Sequence, residues 1–285
     1  MFIQRLISGI ILVIIMAACL IFGGEALLVF CVMASVIGFF EMVNATGVLS
    51  KEKENKFKNE LFIAGIVGIV GYYTVLACSA GHHLFAFAGE VDLSMVCITF
   101  VMLLILAIYV LTYPKYHANQ IMATIFAFLY APVMLSYIYL TRCLENGIYI
   151  VWLIFISSWI CDTAAYVVGM LFGKHKMAPK LSPKKSVEGA VGGLVGAALV
   201  GCLYGWILGK MGIMEVSNFA AYPIIAATGG LISMIGDLAA SAVKRNYDIK
   251  DYGHLIPGHG GILDRFDSVI FTAPIIYYLS VFILK

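Results

Sequence analysis

Nine stretches of about 20 mostly apolar residues follow one another along the chain, at roughly 5–22, 25–46, 61–79, 93–113, 120–140, 148–172, 187–210, 222–243 and 266–283. That is the length a helix needs to cross the hydrocarbon core of a bilayer. Leu, Ile, Val, Phe and Ala fill the stretches without period-2 alternation, which argues for helices and against an outer-membrane barrel. The balance of residues agrees: 62% are hydrophobic and 12% charged, against roughly 45–50% and about 25% in a soluble domain. A soluble enzyme and a disordered chain are both excluded. The expectation is an all-α, polytopic integral membrane protein with about nine transmembrane helices. The tight Gly23–Gly24 turn between the first two leaves eight or ten open.

The basic residues orient these helices. With the N-terminus cytoplasmic, Arg5, Lys51, Lys53, Lys56, Lys58, Lys115, Lys174, Lys176, Lys180, Lys184, Lys185, Lys244, Arg245, Lys250 and Arg265 all fall inside. Arg142, Lys210 and Lys285 fall outside, a ratio of 15 to 3 that predicts N-terminus in and C-terminus out. Arg5 before an apolar run ending Ala17–Ala18–Cys19 resembles a cleaved lipobox leader. The second span follows at once, however, and the expectation is an uncleaved first helix. Seven scattered cysteines form no Cys-x-x-Cys pair and read as small buried hydrophobes, with no disulfide framework or structural zinc. Organisation divides at about residue 119: segment 1–119 holds N-terminal helices and a mixed-charge loop, Lys51–Glu60, and segment 120–285 holds nearly all the unusual polar chemistry. His82 and His83 read as surface residues of an outer loop. No internal repeat is visible, which weighs against an inverted-repeat transporter.

Three acidic residues, Glu41, Asp162 and Asp237, sit inside apolar runs. An intramembrane carboxylate is costly, so each is a functional candidate. Glu41 lies close enough to a helix end to reach the interface. Asp162 and Asp237 each lead instead into a cytoplasmic loop rich in further polar groups. The first loop carries five lysines and the string Ser182-Pro-Lys184-Lys185-Ser186 at a helix entrance. Hydroxyls, ammonium groups and free helix N–H groups together suit an anion such as phosphate. On the helix that follows, Gly189/Gly193 and Gly192/Gly196 are spaced for close helix packing.

The second loop region is richer. Asp237, Ser241, Lys244 and Arg245 fall at i, i+4, i+7 and i+8 and share one helical stripe. Asp264 and Asp267, at i and i+3, share a face of the next helix. Hard divalent cations take such oxygen ligands, and Mg²⁺ commonly uses one or two carboxylates plus substrate phosphates. Between the two helices, Pro257-Gly258-His259-Gly260-Gly261 reads either as turns or as a loop whose backbone N–H groups approach a polyphosphate.

The string Ser241-x-Val-Lys-Arg, four residues, Lys250-Asp-x-Gly, two residues, Ile256-Pro-x-His-Gly-Gly-Ile-x-Asp-Arg-Phe-Asp267 resembles the signature of the phosphatidate cytidylyltransferases, also called CDP-diacylglycerol synthases. Asp162-Thr-x-Ala-Tyr166 and Ser182-Pro-Lys-Lys-Ser-x-Glu-Gly189 are similar to the same family. The resemblance covers roughly the C-terminal half; the N-terminal helices match in hydropathy alone. It implies a helical membrane enzyme, commonly dimeric, that uses CTP, phosphatidic acid and Mg²⁺ to make CDP-diacylglycerol and pyrophosphate at a site open to the cytoplasm. On that reading Asp237 and Asp264 are metal carboxylates, with Asp162 and Asp267 as further ligands or supports. Lys244, Arg245 and Arg265 neutralise phosphate oxygens, and His259 takes part in the catalytic loop. Ser182, Lys184, Lys185 and Ser186, with Ser241, Gly260 and Gly261, hold CTP or the lipid head group, in an allocation left open. A bacterial-type inner membrane and no nucleic-acid partner are expected. The alternatives are a cation-coupled transporter, which leaves the basic glycine-rich loops unused, a CTP-dependent lipid kinase, which would release CDP, and a purely structural membrane protein, which leaves the paired carboxylates without a purpose.

Overall fold

The computed structural model describes residues 2–49, 57–81, 92–213, 219–256, 258 and 260–284. Its elements run α1 (Phe2–Phe22), α2 (Gly24–Ala45), α3 (Glu60–Gly81), α4 (Leu93–Leu111), α5 (Ala118–Phe128), α6 (Met134–Arg142), α7 (Gly147–Ile150), α8 (Trp152–Phe155), α9 (Cys161–Phe172), β1 (Lys176–Ala178), β2 (Ser182–Ser186), α10 (Val187–Lys210), α11 (Ala221–Asn246) and α12 (Leu263–Ile283). Short π-helical turns, Leu129–Val133 and Ile156–Ile160, join α5 to α6 and α8 to α9. Among the described residues, eight of the resulting helical spans are long and apolar enough to cross a membrane, and the apolar stretch of α1, Ile7–Phe22, is a shorter ninth. The all-α polytopic membrane architecture stands. The spans expected at 120–140 and 148–172 are each a composite interrupted by a π turn. His82 and His83, with Lys51, Lys53 and Lys56, lie outside the described residues.

The chain divides into two compact units. The first comprises Met1–Ser136 and Asp251–Asp264. Within it α2 packs on α1, α3 and α5, and α4 lies on α3 and α5. Missing side chains make these approaches close: the Phe39 ring fills the space a Cβ at Gly65 would need, and Val101 that at Gly68. Phe39 also stacks on Phe62, ring centroids 6.0 Å apart. Pro132 lies inside the first π turn, where its missing N–H disrupts regular helix bonding. The buried Tyr73 hydroxyl donates to the Pro132 carbonyl at 3.2 Å, and Ser35 meets the same hydroxyl at 2.8 Å.

The second unit comprises Tyr137–Lys250 and Arg265–Lys285. Here α10 is sandwiched between α9 and α11. The expected glycine spacing explains the sandwich. A Cβ at Gly189 would meet the Ala165 carbonyl and Gly169 Cα, one at Gly192 would strike Val168, and one at Gly193 the Cys161 carbonyl. Further along, Gly201 and Gly205 lie against Ala226 and Tyr222 of α11. Small residues let helix backbones approach where lipid offers no hydrophobic drive to association. Cys161, Ala197 and Met234 form the buried cluster at the centre. Beside α11, Gly236 admits the Asp267 carbonyl and Phe271, and Thr272 donates to the Gly229 carbonyl at 3.4 Å.

The sequence does not announce the hairpin of β1 and β2, paired Lys176 to Ser186 and Ala178 to Ser182. Two prolines and five lysines in the 173–189 loop suggest an irregular connection. Instead the antiparallel pairing folds the loop back, and the Val187 N–H donates to the His175 carbonyl. Ser186 then caps α10, accepting from the Gly189 N–H at 3.1 Å. The Glu188 carboxylate takes the N–H groups of Lys174 and His175.

Candidate active site

The second unit holds a cavity of about 440 Å³ bounded by α9, the hairpin, α10 and α11. Its polar wall is Asp162, Asp237, Ser182, Lys184, Lys185 and Ser186. The two regions that stood out separately in the sequence therefore converge, although 75 residues part Asp162 from Asp237. The hairpin accomplishes this by carrying Lys185 back to the helices, where its ammonium pairs with the Asp237 carboxylate, both groups half-buried. The opposite wall is apolar, with Tyr166 and Met170 of α9 and Met234 of α11. Tyr166 and Met170 are also 69% and 66% exposed, so the apolar wall continues onto the outer surface of α9.

A third carboxylate joins from α12. Asp162 and Asp267 both interact with Asp237, and Ser268 donates a hydrogen bond to Asp162 while Lys185 attracts it. Asp267 accepts the Ser268 N–H at 2.9 Å and faces Lys244. Three helices thus present one carboxylate each, and α11 and β2 answer with Lys244 and Lys185. Mutually repelling carboxylates held together by ammonium groups favour an added cation and an added polyanion at the same place. Among the described residues no three Asp, Glu, His or Cys side chains stand close enough to hold a metal by themselves. Mg²⁺ rarely uses such a cage; it takes one or two carboxylates and completes its shell with phosphate and water. Asp162 and Asp237, hard oxygen donors opening on a cavity with basic walls, fit that mode.

Ser241, Lys244 and Arg245 lie on α11 as their spacing predicts, Ser241 and Lys244 half-buried and Arg245 exposed in its last turn. Arg265 is half-buried near the start of α12, and its Nε is a buried donor with no partner among the described residues. An unpartnered guanidinium N–H is a natural seat for a phosphate oxygen.

The remaining predicted residues belong to the first unit and behave differently. Asp264 is 6% exposed, and its Oδ2 accepts the N–H groups of Tyr252 at 2.8 Å and Gly261 at 2.9 Å. The Gly261 N–H is therefore committed to Asp264, a correction to its expected use on a polyphosphate. Gly260, at φ +86°, makes the left-handed turn that its carbonyl closes by accepting the Ile256 N–H at 2.9 Å. His259 and Pro257 lie outside the described residues. Glu41, expected to reach the interface, is instead 4% exposed, with Oε1 accepting the Ile262 N–H at 3.0 Å and Oε2 the Leu263 N–H at 2.9 Å. A Cβ at Gly253 or Gly261 would collide with this carboxylate. Only the position of Glu41 inside an apolar run signalled it in the sequence; nothing local pointed to its partners.

Fold and site together define a membrane-embedded protein whose cavity pairs carboxylates with lysines beside an apolar wall, suited to a phosphorylated ligand with an apolar part. Comparison with known proteins makes this specific. Residues 3–283 match the cytidylyltransferase family, and the chain belongs to it. It is 31% identical over 281 residues to the phosphatidate cytidylyltransferase of Staphylococcus saprophyticus, covering 97% of this chain and 98% of that one. The phosphatidate cytidylyltransferase of Staphylococcus aureus (strain COL) is 28% identical over 280 residues, at 97% and 98% coverage. That of Thermotoga maritima is 29% identical over 163 residues, covering 56% of this chain and 60% of the relative. The likeness extends through the N-terminal helices, well beyond the C-terminal half that carries the motifs.

Proposed function

We propose that the chain is a phosphatidate cytidylyltransferase acting at the cavity of the second unit. It transfers the cytidylyl group of CTP to phosphatidic acid, giving CDP-diacylglycerol and pyrophosphate. A phosphate oxygen of phosphatidic acid attacks the α-phosphorus of CTP; the bond from that phosphorus to the oxygen bridging to the β-phosphate breaks, and pyrophosphate leaves. The attacking group is already an anion, so neither a nucleophilic side chain nor a strong general base is needed. What must be overcome is repulsion between two phosphate groups, by positioning and charge neutralisation. Lys185 and Lys184 neutralise phosphate oxygens, Ser182 and Ser186 donate hydroxyl hydrogen bonds, and Lys244, Arg245 and Arg265 receive the charge that moves onto pyrophosphate. Asp237 and Asp162, supported by Asp267, would hold Mg²⁺, which when bound neutralises polyphosphate charge. The apolar wall of Tyr166 and Met170 takes the glycerol and the start of the acyl chains, so phosphatidic acid arrives sideways from the bilayer.

The observation that carries this reading is the convergence of Asp162 and Asp237 with Ser182–Ser186 on one cavity in a member of the cytidylyltransferase family. The 15-to-3 partition of basic residues supports a cytoplasm-facing site in an inner membrane. A homodimer is part of the proposal on the resemblance alone. The test uses purified protein in mixed micelles with phosphatidic acid, Mg²⁺ and CTP labelled separately at the α- and γ-phosphates. The α-label is expected in lipid and the γ-label in pyrophosphate. A γ-label entering lipid would make the protein a kinase, and no transfer of either label would reopen the transporter reading.

A further inference from the structure

Glu41 has no part in the transfer step as drawn, yet it is held more completely than any carboxylate of the cavity. It lies in α2, 221 and 222 residues from the two amides it accepts. Burying a carboxylate among apolar helices is costly without hydrogen bonds. Both of its oxygens have them, and among the described residues Asp264 repels it and His254 attracts it. The donors are informative. Leu263 is the first residue of α12 and Ile262 the residue before it, so both N–H groups belong to the set that a helix start leaves without internal acceptors. A negative charge there also complements the helix dipole.

The loop is shaped to this carboxylate. Gly253 and Gly261 approach it so closely that a methyl group on either would strike it. Asp264 gathers the Tyr252 and Gly261 amides from the other side. Two carboxylates thereby fix four backbone N–H groups of the 252–263 segment, the part of the chain that sets where α12 begins. Asp264, Arg265 and Asp267 follow within the next turn and a half of that helix.

We propose that Glu41 is a positioning residue for cytidylyl transfer. From α2 it caps the start of α12 and locks the glycine loop, and so fixes the residue at which the helix that bears Arg265 and Asp267 begins. This inference rests on the reaction proposed above. It touches no reacting atom, so its loss should act on turnover and not on substrate affinity.

The experiment compares wild type with Glu41→Gln and Glu41→Asp in mixed micelles, reading kcat, KM for CTP and phosphatidic acid, and hydrogen exchange by mass spectrometry. In Glu41→Gln an NH₂ group faces an N–H donor, and kcat should fall about 10- to 100-fold, the scale of misplacement by an ångström or less. Both KM values should stay within about twofold, because uniform substrate binding is untouched. Exchange should rise in the peptide spanning 252–263 and stay at the wild-type level in α10 and α11. Glu41→Asp, which keeps the charge, should recover part of kcat. Wild-type turnover in Glu41→Gln, lost turnover with unchanged loop exchange, or an aspartate variant no better than glutamine would each overturn the proposal. Should Glu41→Gln fail to fold, Gly253→Ala presses on the same carboxylate from the loop and must reproduce the fall in kcat with unchanged KM. Wild-type protein that moves no label refutes the reaction itself, while the exchange comparison still decides whether Glu41 holds the loop.

Discussion

Two groups of carboxylates lie within the membrane-spanning helices of this protein, and they are satisfied in opposite ways. In the first unit Glu41 and Asp264 are almost fully buried and accept hydrogen bonds from four backbone amides. In the second, Asp162, Asp237 and Asp267 repel one another and are met by the ammonium groups of Lys185 and Lys244. Backbone amides cannot be withdrawn without unfolding the loop that bears them, so the first arrangement is fixed. Lysine side chains can swing to a phosphate and leave carboxylates to a metal ion, so the second is adaptable and borders a cavity. Depth in the membrane alone does not distinguish the two groups; the chemistry of the donor does.

Substitutions on the two sides should separate accordingly. Asp237→Asn removes a charge from the adaptable group and is expected to lower kcat about 10³-fold, the upper range for loss of a single electrostatic contact in a reacting site. Retention of near-wild-type turnover would erase the contrast. Lys185→Ala should raise KM for CTP or phosphatidic acid about tenfold, as loss of one charge-assisted contact, close to 1.4 kcal/mol, implies. Unchanged KM for both would remove the hairpin from the site. Asp264→Asn keeps one acceptor oxygen for its two amides. It should cost about 2 kcal/mol of stability and lower turnover by no more than about tenfold, read by thermal unfolding and single-turnover assay. A loss as deep as that of Asp237→Asn would place Asp264 in the catalytic group after all.

The small end of the scale checks that ordinary features stay ordinary. Gly193→Ala forces a methyl group toward the Cys161 carbonyl, 2.8 Å away, and should destabilise by about 1–3 kcal/mol with turnover per folded molecule unchanged. Glu60 pairs with Lys115 at 2.6 Å on an exposed surface and hydrogen-bonds Tyr116. That pairing holds the Lys115 ammonium above its ordinary pKa, so its contribution is complete at neutral pH and fades as pH rises through the lysine range. Glu60→Gln should shift stability by less than about 1 kcal/mol, and less still at high salt.

Most of the architecture was legible in the sequence because a membrane span is a long, redundant signal. The runs of apolar residues located the membrane spans among the described residues, and the glycine spacing of α10 announced its close neighbours. Asp162, Asp237 and Ser182–Ser186 were legible as isolated polar residues where polarity is costly. Their convergence was suggested by the family motifs, and the hairpin that brings it about was hidden because Pro179 and Pro183 read as breaks in structure. The role of Glu41 is not legible in the sequence for a physical reason: its acceptors are spent on backbone amides more than 200 residues away, and amides carry no sequence identity. The same reason concealed the inward use of the Gly261 N–H.

The π turn at Ile156–Ile160 has a consequence for Asp162, which follows it by two residues. In an α-helix each residue advances the face by about 100°, and a π turn accommodates one residue beyond the α-helical count. It therefore acts as a phase shifter between α8, anchored by buried Leu153, Ile154 and Phe155, and the helix face that carries the aspartate. A chain shortened by one residue at this point could keep every apolar contact of α8, regain regular helix, and still turn Asp162 roughly a quarter of a revolution away from the lysines.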